Sequence, residues 1–362
     1  MATAVSEAER RDALVERLFA ATVEAFDLFN VYIGDRLGLY RALAEHGPQT
    51  PGGLAAAAGI HERYAREWLE QQAASSILEV EDPGAEASAR RYALPEAHRE
   101  VLLDELSLNY AVPFGQLAIA CVRPIDALLE AFRTGGGVPY ADYGADLHEG
   151  QARFSRPLFE NVLGQEWLPG IPEVHARLQE GGRVADVACG EGRSSIAIAR
   201  AYPRVHVDGI DSDRASIEAA ERYLAGSDVA DRVTFYCRDA ADPELRGRYD
   251  LVTIFEALHD MSYPVAVLEA LRGLLAEGGS VVIADERTAG AAYASADPME
   301  RLYYGFSVLH CLPVGMVGEN AAGTGTVMRA ETVRRYAREA GFSGFEVLPI
   351  ENEFFRLYRL EP

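Results

Sequence analysis

The segment Arg183–Ser195, Arg-Val-Ala-Asp-Val-Ala-Cys-Gly-Glu-Gly-Arg-Ser-Ser, constrains this chain more than any other. Val184 to Ala188 is a short apolar run with Asp186 embedded in it; the run breaks at Gly190 and Gly192 and becomes a helical pattern from Ser195 to Ala199. That succession is the strand, glycine turn and helix that open a nucleotide-binding α/β domain. Glycines let the backbone approach a ligand, and the helix start offers unpaired N–H groups. Further segments repeat the alternation. Val205–Asp211 reads as a strand ending in an acid, followed by a helix from Arg214 to Ala225. Arg232–Ala240 reads as a third strand with Asp239 near its end, Tyr249–Phe255 as a fourth followed by a helix Val265–Ala276, and Gly279–Ala284 as a fifth. Strands and helices alternating at these lengths predict a parallel sheet covered on both faces. Ligands of such sheets lie beyond the carboxyl ends of the strands, where the glycine turn, Asp211 and Asp239 all fall.

The acids and the missing third glycine separate two cofactors. An acid after the second strand suits a ribose diol in either NAD or S-adenosylmethionine. A pyrophosphate turn usually carries a third glycine, whereas Arg193-Ser194-Ser195 follows Gly192 here. Asp239-Ala240 suits an adenine edge. On these residues the chain resembles the class I S-adenosylmethionine-dependent methyltransferases, with Ala188 in place of the first glycine of their loop. A methyl group is the smallest addition there. The resemblance implies cofactor binding by Asp186, Ala188, Gly190, Gly192, Asp211, Ser212, Asp239, Ala240 and Phe255. It also implies a seven-stranded Rossmann-like sheet whose last strand runs antiparallel. The C-terminal end agrees: a helix Ala330–Ala340 closed by Gly341, then Gly344–Ile350 and Glu353–Leu360 as a β-hairpin about Glu351-Asn352.

At 362 residues the chain is long for one domain. Asp12 to Leu103 carries helical periodicity (Leu14, Leu18, Val23, Phe26, Phe29, Ile33, Leu37), a Thr50-Pro51 helix start, a helix His61–Ala74, and short strands at Ser76–Val80 and Arg91–Leu94. Helix, turn, helix and a two-stranded wing is the winged-helix pattern. The expected organisation is α/β, a mostly helical winged-helix domain over 1–105, a helical linker and substrate cap over 106–175, and a methyltransferase domain over 176–362. The helix expected to read DNA carries Arg63 and Arg66 among Glu62, Glu67 and Glu70, and the whole chain carries a net charge of −22. Both argue against nucleic acid and anionic membranes as partners. The small-molecule O-methyltransferases of plants and bacteria are similar in layout, which implies a homodimer formed through the winged-helix domain.

All 34 basic residues are arginine, so Schiff-base and lysine-base mechanisms are excluded. Cys121, Cys189, Cys237 and Cys311 stand singly, with no metal-ligand spacing. Met1 to Arg17 lacks a signal-peptide core and no apolar run reaches membrane-spanning length. The expectation is a cytoplasmic protein without a metal.

Chemistry is expected beyond the fourth strand. Phe255-Glu256-Ala257-Leu258-His259-Asp260-Met261-Ser262 resembles the Leu-His-Asp-Trp run of those O-methyltransferases, which implies His259 as general base, held by Asp285 with Glu286 beside it. The second acid that plant enzymes supply has no counterpart near Val327 or Met328. Tyr303, Phe306 and His310 recur at helical spacing and are candidates for a lid over the acceptor, ahead of a segment punctuated by Gly315, Gly318, Gly323 and Gly325. Tyr140, Tyr143, Phe154, Phe159 and Trp167 are candidates for apolar pocket walls. The expected function is methyl transfer from S-adenosylmethionine to a small molecule, foremost O-methylation of a secondary metabolite. Same-fold N- or C-methylation, non-methylating chemistry, and a ligand-sensing regulator remain as alternatives.

Overall fold

The computed structural model describes residues 6–290 and 297–362. The chain forms two compact units, Met1–Ile119 and Ala120–Pro362. The division falls at Ile119 rather than at 105, and the helices between 120 and 175 share a unit with the sheet instead of standing as a separate cap.

The first unit starts with a 30-residue helix, Glu7–Arg36, closed at its start by a reciprocal pair in which Ser6 Oγ accepts from Glu9 N and the Glu9 carboxylate accepts from Ser6 N. Helices Leu39–His46, Pro51–Ala58 and Glu62–Ala74 follow, then strands β1 (Glu79–Val80) and β2 (Tyr92–Ala93), paired antiparallel. Thr50 caps the second of these helices by accepting from Gly53 N at 3.1 Å, with Pro51 in its first turn. The first wing strand is shorter than expected because Ser76 turns in the left-handed region, φ 58°, so pairing begins at Glu79. Leu39, Tyr40, Leu43, Leu54, Trp68 and Leu69 form the core of this unit. The long helix keeps much of its apolar face in solvent: Leu14, Val15, Leu18, Phe19, Val23 and Phe26 are all exposed, Phe19 by 71%.

The second unit is built on strands β3 (Gly182–Val187), β4 (Val205–Asp211), β5 (Val233–Cys237), β6 (Tyr249–Phe255), β7 (Leu275–Glu286), β8 (Gly344–Val347) and β9 (Phe355–Glu361), in spatial order β5-β4-β3-β6-β7-β9-β8. β3 to β7 are parallel; β9 enters antiparallel beside β7, and β8 pairs antiparallel with β9. The seven-stranded sheet with an antiparallel last strand is therefore present. The third strand of the parallel set stops at Cys237, because Asp239 turns the chain by accepting from Ala241 N at 2.8 Å. The hairpin strand β9 starts only at Phe355, because the Asn352 side chain accepts from Phe354 N and Phe355 N and folds the preceding residues into a turn.

Alternate residues feed two cores, one per face. Val184, Val207, Leu251, Val282 and Leu357 pack under Trp167, Leu178, Ile196 and Ile198. Val187, Ile210, Val252, Ile254 and Ile283 pack against Leu268, Leu271, Val333 and Tyr336 on the other. The helix that follows the glycine turn, Arg193–Ala201, starts close to the sheet around the Phe235 ring. A Cβ on Gly192 would come within 2.2 Å of Phe235 Cζ, and one on Gly209 within 2.4 Å of Phe235 Cδ1.

Candidate active site

The crevice expected from the strand order is a cavity of about 520 Å³ at the carboxyl ends of β3, β4 and β6, within the range of small-molecule sites. Asp186, Ala188, Gly190, Asp211, Ser212 and Phe255 line it, as expected for a cofactor. The glycine loop reaches that position through two braces. The first is internal to the fold: Asp186 is 1% exposed and accepts from Ser194 Oγ, Ser195 Oγ and Thr253 Oγ1 at 2.5, 2.6 and 2.8 Å. Its carboxylate is thus committed to holding the helix start on β3, and it acts as a positioning residue. Burial pushes its pKa up, and the three hydroxyls oppose that rise. The second brace is Asp211, whose Oδ2 accepts from Gly190 N at 2.9 Å and Oδ1 from Asp213 N at 2.8 Å. Each oxygen keeps a lone pair for a further donor, the requirement for gripping a diol. A Cβ built on Gly190 meets nothing within 4 Å, so its backbone borders open space.

Ala188 has φ 55°. A methyl group was expected to be a minor departure here; the cost is conformational, because an L-residue in the left-handed region costs about 1–2 kcal/mol. Gly192 stays outside the cavity wall, and its role is to clear Phe235. Asp239 is exposed and, like Ala240, is not among the residues lining the cavity; Ala240 borders a separate depression with Arg246 and Arg272. The turn that ends β5 early carries both away from the wall.

His259 and its acids come together as expected. The short 3₁₀ turn Leu258–Asp260 after β6 brings His259 Nδ1 to 2.9 Å from Asp285 Oδ1 and 3.0 Å from Glu286 Oε2 at the end of the adjacent β7. No acid stands near Val327 or Met328; the second carboxyl group beside His259 is Glu286, next to the first in the chain. Burial disfavours the imidazolium, but Glu286 and Asp285 outweigh it and hold the His259 pKa well above its ordinary value. Asp285 is held below the usual carboxylate range, because the charge on His259 overcomes its burial, while burial pushes Glu286 up. His259 is 2% exposed, packs near the Cys311 thiol, and is not a cavity-lining residue, although Ala257, Asp260 and Met261 around it are.

The expected acceptor wall is only partly present. Tyr140 and Phe159 line the cavity. Trp167 does not: it is 1% exposed, packed on Phe255 and Phe355 in the core of one sheet face. Tyr303 is also outside the wall, its hydroxyl donating to Phe354 O at 2.8 Å, and so are Phe306 and His310. A wide π-helical turn, Ser307–Cys311, interrupts this helix and breaks the 3.6-residue repeat on which the Tyr303, Phe306, His310 stripe depends. His310 instead packs edge-on against Tyr143 at 4.6 Å, and burial lowers its pKa to about 3.

Sequence reasoning gave no role to several wall residues. Helix Ala145–Leu158 contributes His148, Gln151 and Ser155, with His148 stacked on Tyr140 at 4.4 Å. Glu191, Arg193, Asp213, Glu256 and Asp260 add charged groups to the lining. Glu256 directly follows an apolar strand at its ligand-facing end, and that placement was the available signal. Among the described residues, His148 Nε2, Glu191 Oε2 and Arg193 Nε are buried without a hydrogen-bond partner, and all three residues line this cavity. A zwitterionic nucleoside such as S-adenosylmethionine fits a cavity with an open glycine backbone, a diol-competent carboxylate and unpaired donors and acceptors of both signs.

Comparison with known proteins agrees with this geometry. A methyltransferase-domain model matches residues 185–281, and an Rv2258c-like winged helix-turn-helix model matches residues 27–103. The ubiquinone biosynthesis O-methyltransferase of Marinobacter nauticus is 35% identical over 105 residues, 28% of this chain and 43% of that protein. The 27-O-demethylrifamycin SV methyltransferase of Amycolatopsis mediterranei is 33% identical over 109 residues, 30% of this chain and 40% of that protein. The chain thus spans about half or less of the length of these curated relatives. Among solved structures, human N-acetylserotonin methyltransferase in complex with S-adenosylmethionine aligns over 100% of this chain and 99% of its own, with a TM-score of 0.70 and 16% identity. A putative O-methyltransferase from Nostoc punctiforme aligns over 96% and 98%, with a TM-score of 0.69 and 18% identity. These share the fold. The Ala120–Pro362 unit is a class I S-adenosylmethionine-dependent methyltransferase domain. Residues 27–103 of the same chain carry a winged helix-turn-helix domain.

Proposed function

We propose that this chain methylates a hydroxyl group of a small-molecule secondary metabolite, with S-adenosylmethionine as donor. The observation that carries the reading is Asp211 bracing Gly190 at the mouth of a cavity that continues to Tyr140, Ser155 and Phe159. When bound, the cofactor supplies an activated methyl group on a sulfonium. Asp211 and the Gly190 backbone bind it, Asp186 keeps their loop in place, and Phe255 closes the floor. Tyr140 and Phe159 give the acceptor an apolar wall and exclude water. The resemblance implies His259 as the general base; buried between Asp285 and Glu286, which raise its pKa well above the ordinary value, it is proposed here as a charged neighbour behind that wall rather than as the base. No metal enters this reading.

The winged-helix unit is proposed to dimerise rather than read DNA. Arg63 pairs with Glu67 and Arg66 with Glu70, which neutralises the helix that would enter the groove. The exposed apolar face of Glu7–Arg36 offers the kind of surface that a second copy covers. Among the described residues no single helix is long and apolar enough to cross a membrane, and a cytoplasmic location is proposed with that.

The test is calorimetric titration with S-adenosylmethionine, followed by assay of S-adenosylhomocysteine release with a panel of phenolic and aliphatic hydroxyl acceptors. Saturable binding and acceptor-dependent release support the reading. A protein that leaves the nucleoside unbound, or that binds NAD instead, sinks it.

A further inference from the structure

Two residues other than glycine hold a left-handed backbone at the ligand-facing edge of the sheet: Ala188 with φ 55° and Glu256 with φ 54°. They follow neighbouring strands one residue apart in register, since Val187 of β3 pairs with Ile254 of β6 and Phe255 intervenes before Glu256. Both line the same cavity. A long side chain in this backbone region is uncommon, and such strain persists only where the surrounding structure enforces it. Here the Glu256 N–H donates to Ala284 O at 2.8 Å, which fixes the turn and commits the carboxyl group to the cavity wall.

The strand order says which part of the ligand lies there. Asp211 ends β4, on one side of β3, and Glu256 follows β6, on the other. A nucleoside whose ribose is held at Asp211 and whose chain crosses the glycine loop brings its far, sulfur-bearing end to the β6 side. Building on the cofactor reading above, we propose that Glu256 is the proton-linked acid of this site, losing its carboxyl proton when a sulfonium enters and regaining one when that charge is gone.

The surroundings suit the role. Burial raises the Glu256 pKa to about 7, opposed by the Ser155 hydroxyl from helix Ala145–Leu158 and by His259 in its own loop, with Asp285 of β7 adding to the rise. Asp186, Glu191, Asp211, Asp213 and Asp260 line the same cavity against the basic groups Arg193 and His148, so acids outnumber bases there, and an incoming cation finds Glu256 still partly protonated through its burial. Once ionised, Glu256 is in position to accept the proton of a hydroxyl acceptor. The acceptor oxygen bonds to the methyl carbon, the carbon–sulfur bond breaks with its electron pair left on sulfur, and the hydroxyl proton goes to Glu256. The positive charge lost at sulfur and the negative charge lost at Glu256 cancel.

S-adenosylmethionine and S-adenosylhomocysteine differ at the sulfonium and share every other contact, so comparing them isolates this acid from Asp211 and the rest. Calorimetry near neutral pH in phosphate and in Tris gives the protons released on binding each. The wild type is expected to release about half a proton more with the sulfonium ligand, and Glu256→Gln to lose that difference while still binding both ligands. Equal proton counts for the two ligands in the wild type, or an undiminished difference in Glu256→Gln, overturn the proposal and leave the cofactor reading standing. Failure of the wild type to bind either ligand rejects both. Infrared difference spectra decide the matter without a variant: the sulfonium ligand must bleach a protonated-carboxyl band that the thioether leaves in place, and no such bleach refutes the assignment.

Discussion

Asp285 holds Nδ1 of His259 at 2.9 Å, across the boundary between two neighbouring parallel strands, in a setting where neither group is more than 2% exposed. Glu286 approaches the same nitrogen from the next position in the chain. One buried imidazolium therefore sits between ionised Asp285 and Glu286, and burial pushes the Glu286 pKa up to about 8.

Removing that cation leaves the acids without compensation. His259→Ala is expected to destabilise the second unit by about 3–5 kcal/mol, as breaking buried ion pairs does. Urea unfolding of the two proteins measures it, and a difference under about 1 kcal/mol would mean that the acids are already neutral.

The same cluster predicts a pH dependence. The folded pKa of His259 is raised, so its contribution to stability is complete below its unfolded value of about 6.5 and is lost as pH climbs through the higher folded value. The stability gap between wild type and His259→Gln should accordingly narrow on moving from mildly acid to alkaline buffer. A gap that widens instead would mean that the imidazole is neutral when folded.

Gly190 and Gly192 should respond differently to one added methyl group. Gly192→Ala drives a Cβ into the Phe235 ring at a φ of 73° and is expected to cost more than about 2 kcal/mol of stability. Gly190→Ala meets open space, so it should cost only the left-handed penalty of about 1–2 kcal/mol while abolishing most cofactor affinity. Thermal melts and calorimetry on both variants separate the structural glycine from the ligand-facing one; equal cofactor affinity in Gly190→Ala and wild type would remove the loop from the site.

Asp211→Ala removes both the diol acceptor and the Gly190 brace. Hydrogen bonds to a charged group contribute about 1.5–3 kcal/mol, so affinity for S-adenosylmethionine should fall on the order of 10- to 100-fold. Unchanged affinity by calorimetry would reject the ribose assignment.

Phe19→Glu, on the most exposed ring of the Glu7–Arg36 helix, should convert a dimer into monomers without altering the fold. Light scattering across a dilution series reads the outcome, and a wild type that is already monomeric would end the dimer proposal.

Much of the second unit was legible because it is written in local signals. Apolar runs placed β3 to β6, with an overrun at the end of β5, and the glycine loop declared the ligand end of the sheet. The pairing of His259 with Asp285 was implied by the resemblance to the O-methyltransferases, not by periodicity or spacing. What failed depended on small turns. The Asp239 side chain closes β5 early and takes the adenine candidates off the cavity wall, and the π turn at Ser307–Cys311 undoes an α-helical stripe. Trp167 was read as a pocket wall and is core, since periodicity does not say which side of a helix faces a ligand. The strain at Glu256 was invisible, because a left-handed glutamate leaves no mark in sequence.

The Phe235 ring lies against the backbone of both Gly192 and Gly209, two strands and a helix meeting on one flat surface. None of the three is free to vary alone: enlarging either glycine demands a smaller side chain at 235, and shrinking the ring opens a void that neither glycine fills. Any natural or engineered drift in this corner has to proceed as a coordinated exchange, which makes it a poor place to begin reshaping the enzyme and a good one to leave untouched while the acceptor wall is redesigned.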